Sequence, residues 1–250
     1  MTELDLIIDL HKNNERQGPG SSNDTLRAIR LIDLPKNKNI SVADLGCGTG
    51  GQTITLAQHI NGQITAVDLF PAFLGELNQQ AKALGLDEKI KTLERSMEDL
   101  LFDKASFDII WSEGAIYNMG FEAGIKKWRD YLKPNGYLSV SEITWITNSR
   151  PAEIEDFWNR EYPEIDVASR KISILEENGY TLVGYFYLSE ESWMKNYYKP
   201  LESQFSAFLE RHHNTELARS VVRAYQVEIE MYQRFKEYFS YGFYIAKKSN

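Results

Sequence analysis

Three glycines at a fixed spacing are the part of this sequence that most directly indicates a chemistry. In "VADLGCGTGG", residues 42–51, Gly46, Gly48 and Gly51 have the spacing G-x-G-x-x-G, and Asp68 follows about twenty residues later. Glycines that turn a strand tightly into a helix present backbone N–H groups to a ligand, and this arrangement is the fingerprint of a dinucleotide-binding turn. The pattern therefore predicts a site for a nucleotide-containing cofactor.

Asp44 indicates which cofactor the turn holds, because dinucleotide enzymes and S-adenosylmethionine enzymes both use such a turn. It lies two residues before Gly46, where we expect its side chain to point into the crevice. A carboxylate at ~5 Å from a diphosphate repels it by roughly 3 kcal/mol at an effective dielectric constant of about 20, but attracts an ammonium group. The negative charge of Asp44 therefore favours S-adenosylmethionine over a dinucleotide. Asp68 does not distinguish the two cofactors, because its carboxylate can accept hydrogen bonds from the ribose hydroxyls of either. One alternative stays open, in which Asp44 only caps the following helix.

The surrounding chain alternates between strands and helices, as in a parallel sheet with crossover helices. Apolar runs between turn signals predict strands at 41–45, 63–69, 89–95, 107–113, 137–146, 180–188 and 241–248, with helices between them. The predicted fold is therefore α/β, a doubly wound, Rossmann-like sheet of seven strands.

Segments that interrupt this alternation predict a helical cap on a single domain of residues 1–250. We assign about 40–147, 167–189 and 238–248 to the core, and about 1–36, 148–166 and 190–237 to the cap. The first helix should bury Leu4, Ile7, Ile8 and His11, which recur at helical spacing. The following "QGPGS", residues 17–21, is a linker, a hinge or a segment that reaches the cofactor.

The stretch 44–51 resembles the first motif of the class I S-adenosylmethionine-dependent methyltransferases, in their small-molecule branch. Similar stretches follow at 66–70 ("AVDLF"), 95–119 ("RSMEDLLFDKASFDIIWSEGAIYNM") and 128–142 ("WRDYLKPNGYLSVSE"), so the resemblance covers 42–142. It implies a seven-stranded sheet whose last strand is antiparallel, and S-adenosyl-L-methionine as the cofactor.

The resemblance also implies a role for each matching residue. Backbone at Gly46 and Gly48 would pack against the methionine part of the cofactor, with Asp44 near its amino group. The full set implied to contact the cofactor is Asp44, Gly46, Cys47, Gly48, Asp68, Leu69, Ser96, Met97 and Glu113.

The adenosine side of the cofactor is implied to lie against four of these residues. Asp68 would bind the ribose and Leu69 would lie against the adenine. At Ser96 relatives usually have an aspartate that accepts from the adenine amino group; the serine hydroxyl can also accept, and Met97 can cover the ring.

Glu113 and Tyr117 are the candidate catalytic residues, because the segment after the fourth strand borders the transferred methyl group in this fold. Glu113 is a base or an anchor for a substrate amine, with a salt-bridge partner as the alternative. Tyr117 faces the sulfonium or packs in the core. The segment lacks the Asn/Asp-Pro-Pro-aromatic tetrapeptide of relatives that methylate DNA bases or glutamine amides.

Five aromatic residues in or beside the cap segments either form an acceptor pocket or pack the cap onto the sheet. They are Trp145, Trp158, Trp193, Tyr197 and Tyr198.

Composition limits the classes of partner. The chain has 36 acidic and 28 basic residues, a formal charge of −8, and no basic cluster, which argues against a nucleic-acid partner. Its single cysteine, Cys47, fits a reducing compartment and is expected to pack rather than react. We find no metal-ligand spacing, no secretory signal and no membrane span, so we predict a cytoplasmic protein, with a homo-oligomer left open.

These observations predict a methyltransferase that acts on a small organic acceptor. Resemblance to the menaquinone and ubiquinone C-methyltransferases suggests a quinone-like or other aromatic acceptor. Two alternatives remain: a non-catalytic S-adenosylmethionine-binding module, and an oxidoreductase that binds NAD through the same turn.

Overall fold

A mixed β-sheet forms the centre of the fold in the computed structural model, which describes residues 1–35 and 38–249. Its strands are β1 (Ile40–Leu45), β2 (Gly62–Asp68), β3 (Ile90–Glu94), β4 (Phe107–Glu113), β5 (Leu132–Trp145), β6 (Asp166–Val167), β7 (Tyr180–Tyr187) and β8 (Phe239–Lys248). The order is β3-β2-β1-β4-β5-β8-β7, and the short β6 pairs with the end of β5. Strands β1 to β5 are parallel, whereas β8 is antiparallel to both β5 and β7. The predicted Rossmann-like sheet with an antiparallel last strand is confirmed, and β6 is an addition to it.

Ten α-helices surround the sheet in the described part of the chain. They are α1 (Glu3–His11), α2 (Ser22–Leu31), α3 (Gly51–His59), α4 (Pro71–Ala83), α5 (Phe121–Trp128), α6 (Ala152–Glu161), α7 (Ala168–Glu177), α8 (Glu190–Trp193), α9 (Lys199–Arg211) and α10 (Glu216–Phe235). A π-helical turn, Met194–Tyr198, joins α8 to α9. Among these helices none combines the length and the apolar character that crossing a membrane requires.

Alternation of side chains along β1 separates two hydrophobic cores, one on each face of the sheet. Val42 packs in one core with Leu56 of α3 and with residues of the N-terminal and late helices. Ala43 and Leu45 point the other way, into a core that contains Trp128 of α5. Because both faces are covered, β1 is almost entirely buried.

The start of β5 differs from the prediction. Helix α5 ends at Trp128, the chain continues as a 3₁₀ turn to Tyr131, and β5 begins at Leu132 rather than at the predicted 137. The pairing of β4 with β5 shifts register there, and Asn135 has φ +62°. The segment "KPNG" is thus an irregular start to the strand, which a turn signal alone does not distinguish from a loop.

The buried face of α1 also differs from the predicted one. Leu6, Leu10 and His11 are buried, whereas Leu4 is half exposed. The helix packs against α9 and α10, and His11 Nε2 lies 2.8 Å from the Tyr225 hydroxyl, so a polar partner brings the histidine inside. Of the four residues predicted on one side of this helix, His11 is buried and Ile7 packs against the core, so the buried side overlaps the predicted one in part.

The cap and the sheet share one hydrophobic core. The core that contains Val42 of β1 also contains Leu10 of α1, Phe157 of α6 and Phe208 of α9. The division into a core and a cap remains a prediction about sequence segments, and residue 36, its first cap boundary, lies outside the described residues.

Candidate functional site

A cavity of about 390 Å³ opens at the carboxyl ends of β1, β2 and β4. The chain reverses its strand order between β1 and β4, and in open α/β sheets ligands bind at such a switch point. Nine of the ten predicted site residues line this cavity: Gly46, Cys47, Gly48, Asp68, Leu69, Ser96, Met97, Glu113 and Tyr117. The tenth, Asp44, does not.

The backbone N–H groups of the glycine turn, residues 46–50, all donate to acceptors within the protein. The first two donate to the carbonyl of Val67 at 2.8 and 2.9 Å. The next three donate in turn to Asp68 Oδ2 (2.8 Å), Gln17 Oε1 (2.8 Å) and the carbonyl of Cys47 (3.0 Å). A pyrophosphate at such a turn is held by free backbone donors. This stretch of the turn therefore offers a shaped surface to a ligand, with no free N–H for phosphate oxygens.

Gly46 and Gly48 are required by both conformation and space. Their φ angles are +73° and +56°, in the left-handed region. A Cβ on Gly46 would lie 2.4 Å from Cβ of Ala115, and one on Gly48 would lie 2.1 Å from Oε1 of Gln17. Because neither glycine has a side chain, Ala115 and Gln17 can pack directly against the turn at this wall of the cavity.

Asp68 ends β2 with its carboxylate beside the cavity. Oδ2 accepts from the N–H of Gly48 at 2.8 Å, and Oδ1 accepts from the N–H of Phe70 at 3.0 Å. Burial raises the pKa of the carboxyl, although the backbone donors oppose the shift. Each oxygen accepts one of these bonds and has a second lone pair, which can accept a ligand hydroxyl.

The prediction that Asp44 points into the crevice is wrong. Its carboxylate is fully buried beneath the turn, where Oδ2 accepts from Thr53 Oγ1 at 2.5 Å and Oδ1 lies 3.4 Å from Gln52 Nε2. Burial raises the pKa of Asp44 to about 7. Gln52 itself lines the cavity and also donates to the carbonyl of Cys47. Asp44 thus bonds to two side chains of the first turn of α3, and it does not cap that helix, whose N-cap residue is Gly50 with no side-chain hydrogen bond.

Glu113 forms a buried ion pair instead of being a free carboxylate. Oε2 accepts from Arg16 Nη1 at 2.7 Å, and both side chains are at most 5% exposed. Oε1 accepts from Thr25 Oγ1 at 2.7 Å and from Trp111 Nε1 at 2.9 Å. The salt-bridge alternative describes this geometry, and the positive charge of Arg16 makes Glu113 a poor candidate for a base.

The segment between α1 and α2 covers the glycine turn. Gln17 Nε2 donates to Thr49 Oγ1 at 3.0 Å, and Thr49 Oγ1 donates to the carbonyl of Asn14 at 2.7 Å. Residues 16–19 line the cavity. Of the three possibilities for "QGPGS", a segment that reaches the cofactor site agrees best with these contacts. Sequence reasoning missed Arg16, because nothing in its neighbours indicates a distant carboxylate partner.

The other end of the cavity is apolar. Leu69, Phe70, Phe73 and Met97 line it, and the hydroxyl of Ser96 accepts from the N–H of Glu98 at 3.2 Å. A flat heterocycle such as adenine fits apolar walls of this kind. The two phenylalanines were not predicted, although "DLFPAF" places them directly after the strand that ends in Asp68.

Tyr117 and Cys47 both line the cavity, but the tyrosine is exposed and the cysteine is buried. Tyr117 lies in a 3₁₀ turn, Ile116–Asn118, is 45% exposed, and has its ring 6.2 Å from that of Tyr162. Cys47 is buried, and burial raises the pKa of its thiol well above its usual value. The thiol is therefore no nucleophile near neutral pH.

The cap aromatics mostly pack together. Trp145, Trp193, Tyr197 and Tyr198 are buried in the core described above, and none of them lines the cavity. Trp158 is partly buried and lines a separate cleft. For most of this set the packing alternative is the one that the structure supports.

Known proteins resemble the chain in the half that contains this site. Residues 42–136 match a family model described as a methyltransferase domain. A protein of Haemophilus influenzae is 30% identical over 153 residues, which are 60% of this chain and 59% of that protein. A sarcosine/dimethylglycine N-methyltransferase of Aphanothece halophytica is 28% identical over 43% of this chain and 39% of its own length. The chain thus spans less than two thirds of the length of these relatives.

Solved structures resemble the chain over nearly its whole length. A methyltransferase from Geobacter sulfurreducens that is S-adenosylmethionine-dependent, solved in complex with S-adenosyl-L-homocysteine, has a TM-score of 0.83. It is 17% identical, and the match covers 98% of each chain. At this identity the likeness shows the fold, which agrees with the predicted class I methyltransferase architecture.

Proposed function

We propose that the chain is a class I S-adenosylmethionine-dependent methyltransferase that transfers a methyl group to a small organic acceptor. The methyltransferase-domain match and the shared fold support this class. The observation that carries the choice of cofactor is the glycine turn. Its backbone donors at 46–50 are already bonded within the protein, so it is suited to a cofactor that brings no phosphate to this wall.

The residues of the cavity fit this cofactor. Gly46 and Gly48 line the cavity without side chains, so the methionine part can lie against their backbone, and Asp68 has acceptor capacity for ribose hydroxyls. Leu69 and Met97 provide apolar contact for the adenine. When bound, S-adenosylmethionine supplies an electrophilic methyl group, and the protein contributes alignment and exclusion of water.

We assign Glu113 to closure of the site rather than to proton transfer. Its ion pair with Arg16 holds the segment that covers the glycine turn, and residues 16–19 of this segment line the cavity. Tyr117, exposed at the cavity wall, remains the candidate for contact with the sulfonium, which an aromatic ring stabilises.

Two classes of methyl acceptor are candidates. A quinone-like or other aromatic acceptor is one candidate, supported by the exposed ring of Tyr117 and by the resemblance to the menaquinone and ubiquinone C-methyltransferases. An amine is another, since one similar protein is described as an N-methyltransferase of sarcosine and dimethylglycine. We also propose a cytoplasmic location, on the basis of the single cysteine.

Calorimetric titration of the protein with S-adenosylhomocysteine and, separately, with NADH tests the choice of cofactor. We expect S-adenosylhomocysteine to bind and to stabilise the fold, by about 2.7 kcal/mol at a hundredfold excess over its Kd. Binding of NADH with no binding of S-adenosylhomocysteine would contradict the proposal. Release of S-adenosylhomocysteine from S-adenosylmethionine only when an acceptor is added separates an enzyme from a binding module.

A further inference from the structure

A tyrosine-rich interior begins at the edge of the cofactor cavity. Gly114 and Tyr117 line the cavity, and on the other side of Gly114 the ring of Tyr241 lies 3.0 Å from where a Cβ would be. The ring of Trp193 follows at 5.1 Å from Tyr241, and that of Tyr198 at 5.8 Å from Trp193. Aromatic faces thus extend from the cavity into the cap.

Glu228 of α10 is a carboxylate inside this aromatic region. Its Oε1 accepts from the Tyr198 hydroxyl at 2.8 Å, and among residues 1–35 and 38–249 no cation forms an ion pair with it. Burial and, after it, the charge of Glu228 raise the pKa of Tyr197 and of Tyr225. Glu228 is partly buried, and burial raises the pKa of its carboxyl to about 7, so ionisation is unfavourable without a cation and a bound cation would favour it.

A cleft of about 530 Å³ between α1, α6 and α10 leads to the same group. Its walls include Ile7, Phe157 and Trp158, and Tyr225 and Glu228 also line it. The Nε1 atom of Trp158 is buried without a partner in the described part of the chain. Glu3, Arg160, Glu161 and Arg223 also line the cleft, and the two arginines pair with Glu161 and Glu216. The cleft therefore combines aromatic surface with the carboxyl group of Glu228, which forms no ion pair in the described part of the chain.

We propose that the methyl acceptor carries a basic amine, and that Glu228 recognises its ammonium form at the aromatic end of this cleft. A cation is attracted to a carboxylate and to the faces of tyrosine and tryptophan rings, and both are present. An ammonium group compensates the charge of the ionised Glu228, which a neutral alcohol or a quinone does not do. This inference rests on the proposed methyltransferase function and names the acceptor class for it.

The test compares two probes that differ only in the polar group. 2-Phenylethylamine and 2-phenylethanol are titrated separately into the protein saturated with S-adenosylhomocysteine. We expect the amine to bind and the alcohol to bind at least about tenfold more weakly, because only the amine supplies a cation.

Two variants of α10 make the comparison specific. Glu228→Gln keeps an acceptor for the Tyr198 hydroxyl but removes the charge, and should abolish the preference for the amine. Glu230→Gln removes an exposed charge two residues away, which pairs with Arg234, and should leave the preference unchanged.

Three results would overturn the inference: equal binding of the two probes, binding of neither, or a preference that survives Glu228→Gln. The titration with S-adenosylhomocysteine comes first. If it binds and no preference for the amine is found, only this inference fails, whereas absence of its binding contradicts the proposed function itself.

Discussion

At the scale of single residues, what the site can bind depends on which backbone N–H groups already donate hydrogen bonds within the protein. Asp68 illustrates this, because one carboxylate both holds the N–H groups of Gly48 and Phe70 and faces the cavity. Its position fixes the distance between the glycine turn and the end of β2. A ligand hydroxyl bonded to Asp68 would therefore contact a group whose geometry is set before the ligand arrives.

Replacing Asp68 by Ala should weaken binding of S-adenosylhomocysteine at least about tenfold, because the ribose hydroxyls lose their acceptor. Titration calorimetry measures this change. Asp99→Ala is the control, since that carboxylate is largely exposed and does not line the cavity. Unchanged affinity of a folded Asp68→Ala protein would exclude the ribose role.

Asp44 should make the stability of the ligand-free protein fall as pH rises. Its ordinary pKa is 3.8 and burial raises it to about 7, so between these values the folded state holds a proton that the unfolded state has lost. The free energy of unfolding therefore decreases with pH through this window and levels off above pH 7, by about 3 kcal/mol between pH 5 and pH 8.

Asp44→Asn removes this dependence because the amide does not titrate. Urea unfolding of both proteins at pH 5 and pH 8 provides the measurement, and the difference between them isolates Asp44 from the other buried acids. The variant should gain stability relative to the original chain at the higher pH. If the free energies of unfolding of the two proteins change equally between pH 5 and pH 8, Asp44 does not ionise in this window.

At the scale of elements, the segment between α1 and α2 connects three parts of the molecule. Arg16 pairs with Glu113 at the end of β4, and Asn196 Nδ2 of the late cap donates to the carbonyl of Gly20 at 3.0 Å. Ser192 Oγ donates to Asp24 Oδ2 at 2.5 Å. The site is therefore closed by contacts between elements that are far apart in sequence.

Removing either member of the Arg16–Glu113 pair should cost about 3–5 kcal/mol of stability, because the other charge stays buried without a partner. We expect Arg16→Met and Glu113→Gln each to lower stability and cofactor affinity, and the double variant to lose much less than the sum of the two. Urea unfolding and calorimetry of the four proteins complete the cycle. Strict additivity, with turnover lost only in Glu113→Gln, would restore Glu113 as a base.

At the scale of the whole molecule, one core joins the cap to the sheet. Leu10 of α1 is fully buried in the same cluster as Val42 of β1 and Phe208 of α9. Elements that share a core usually unfold together. Although the cap and the core are different segments of the sequence, we therefore expect them to unfold together.

Leu10→Ala should destabilise the entire protein by about 2–5 kcal/mol, the usual cost of a cavity at a buried leucine. Scanning calorimetry should show a single transition that moves to lower temperature as a whole. Leu4→Ala, at a half-exposed position of the same helix, is the control and should have a small effect. A separate low-temperature transition in the Leu10 variant would show that the cap melts independently.

Local signals predicted the sheet and the cavity wall better than the contacts between segments. The glycine turn and the strand that ends in Asp68 follow from short-range patterns of spacing and hydrophobicity, whereas the antiparallel direction of β8 was implied by the family resemblance. The orientation of Asp44 and the pairing of Arg16 with Glu113 do not, because each depends on a partner brought near by the fold. A turn signal at "KPNG" likewise does not reveal where β5 begins.

The position of β8 between β5 and β7 has a consequence for synthesis on the ribosome. β5 is complete by Trp145, but its antiparallel neighbour begins only at Phe239, after α6 to α10 have been made. Until then the nascent chain has a long, unpaired β5 edge, which is a template for wrong association. Translation of the cap helices is therefore the interval in which we expect a chaperone to be needed most.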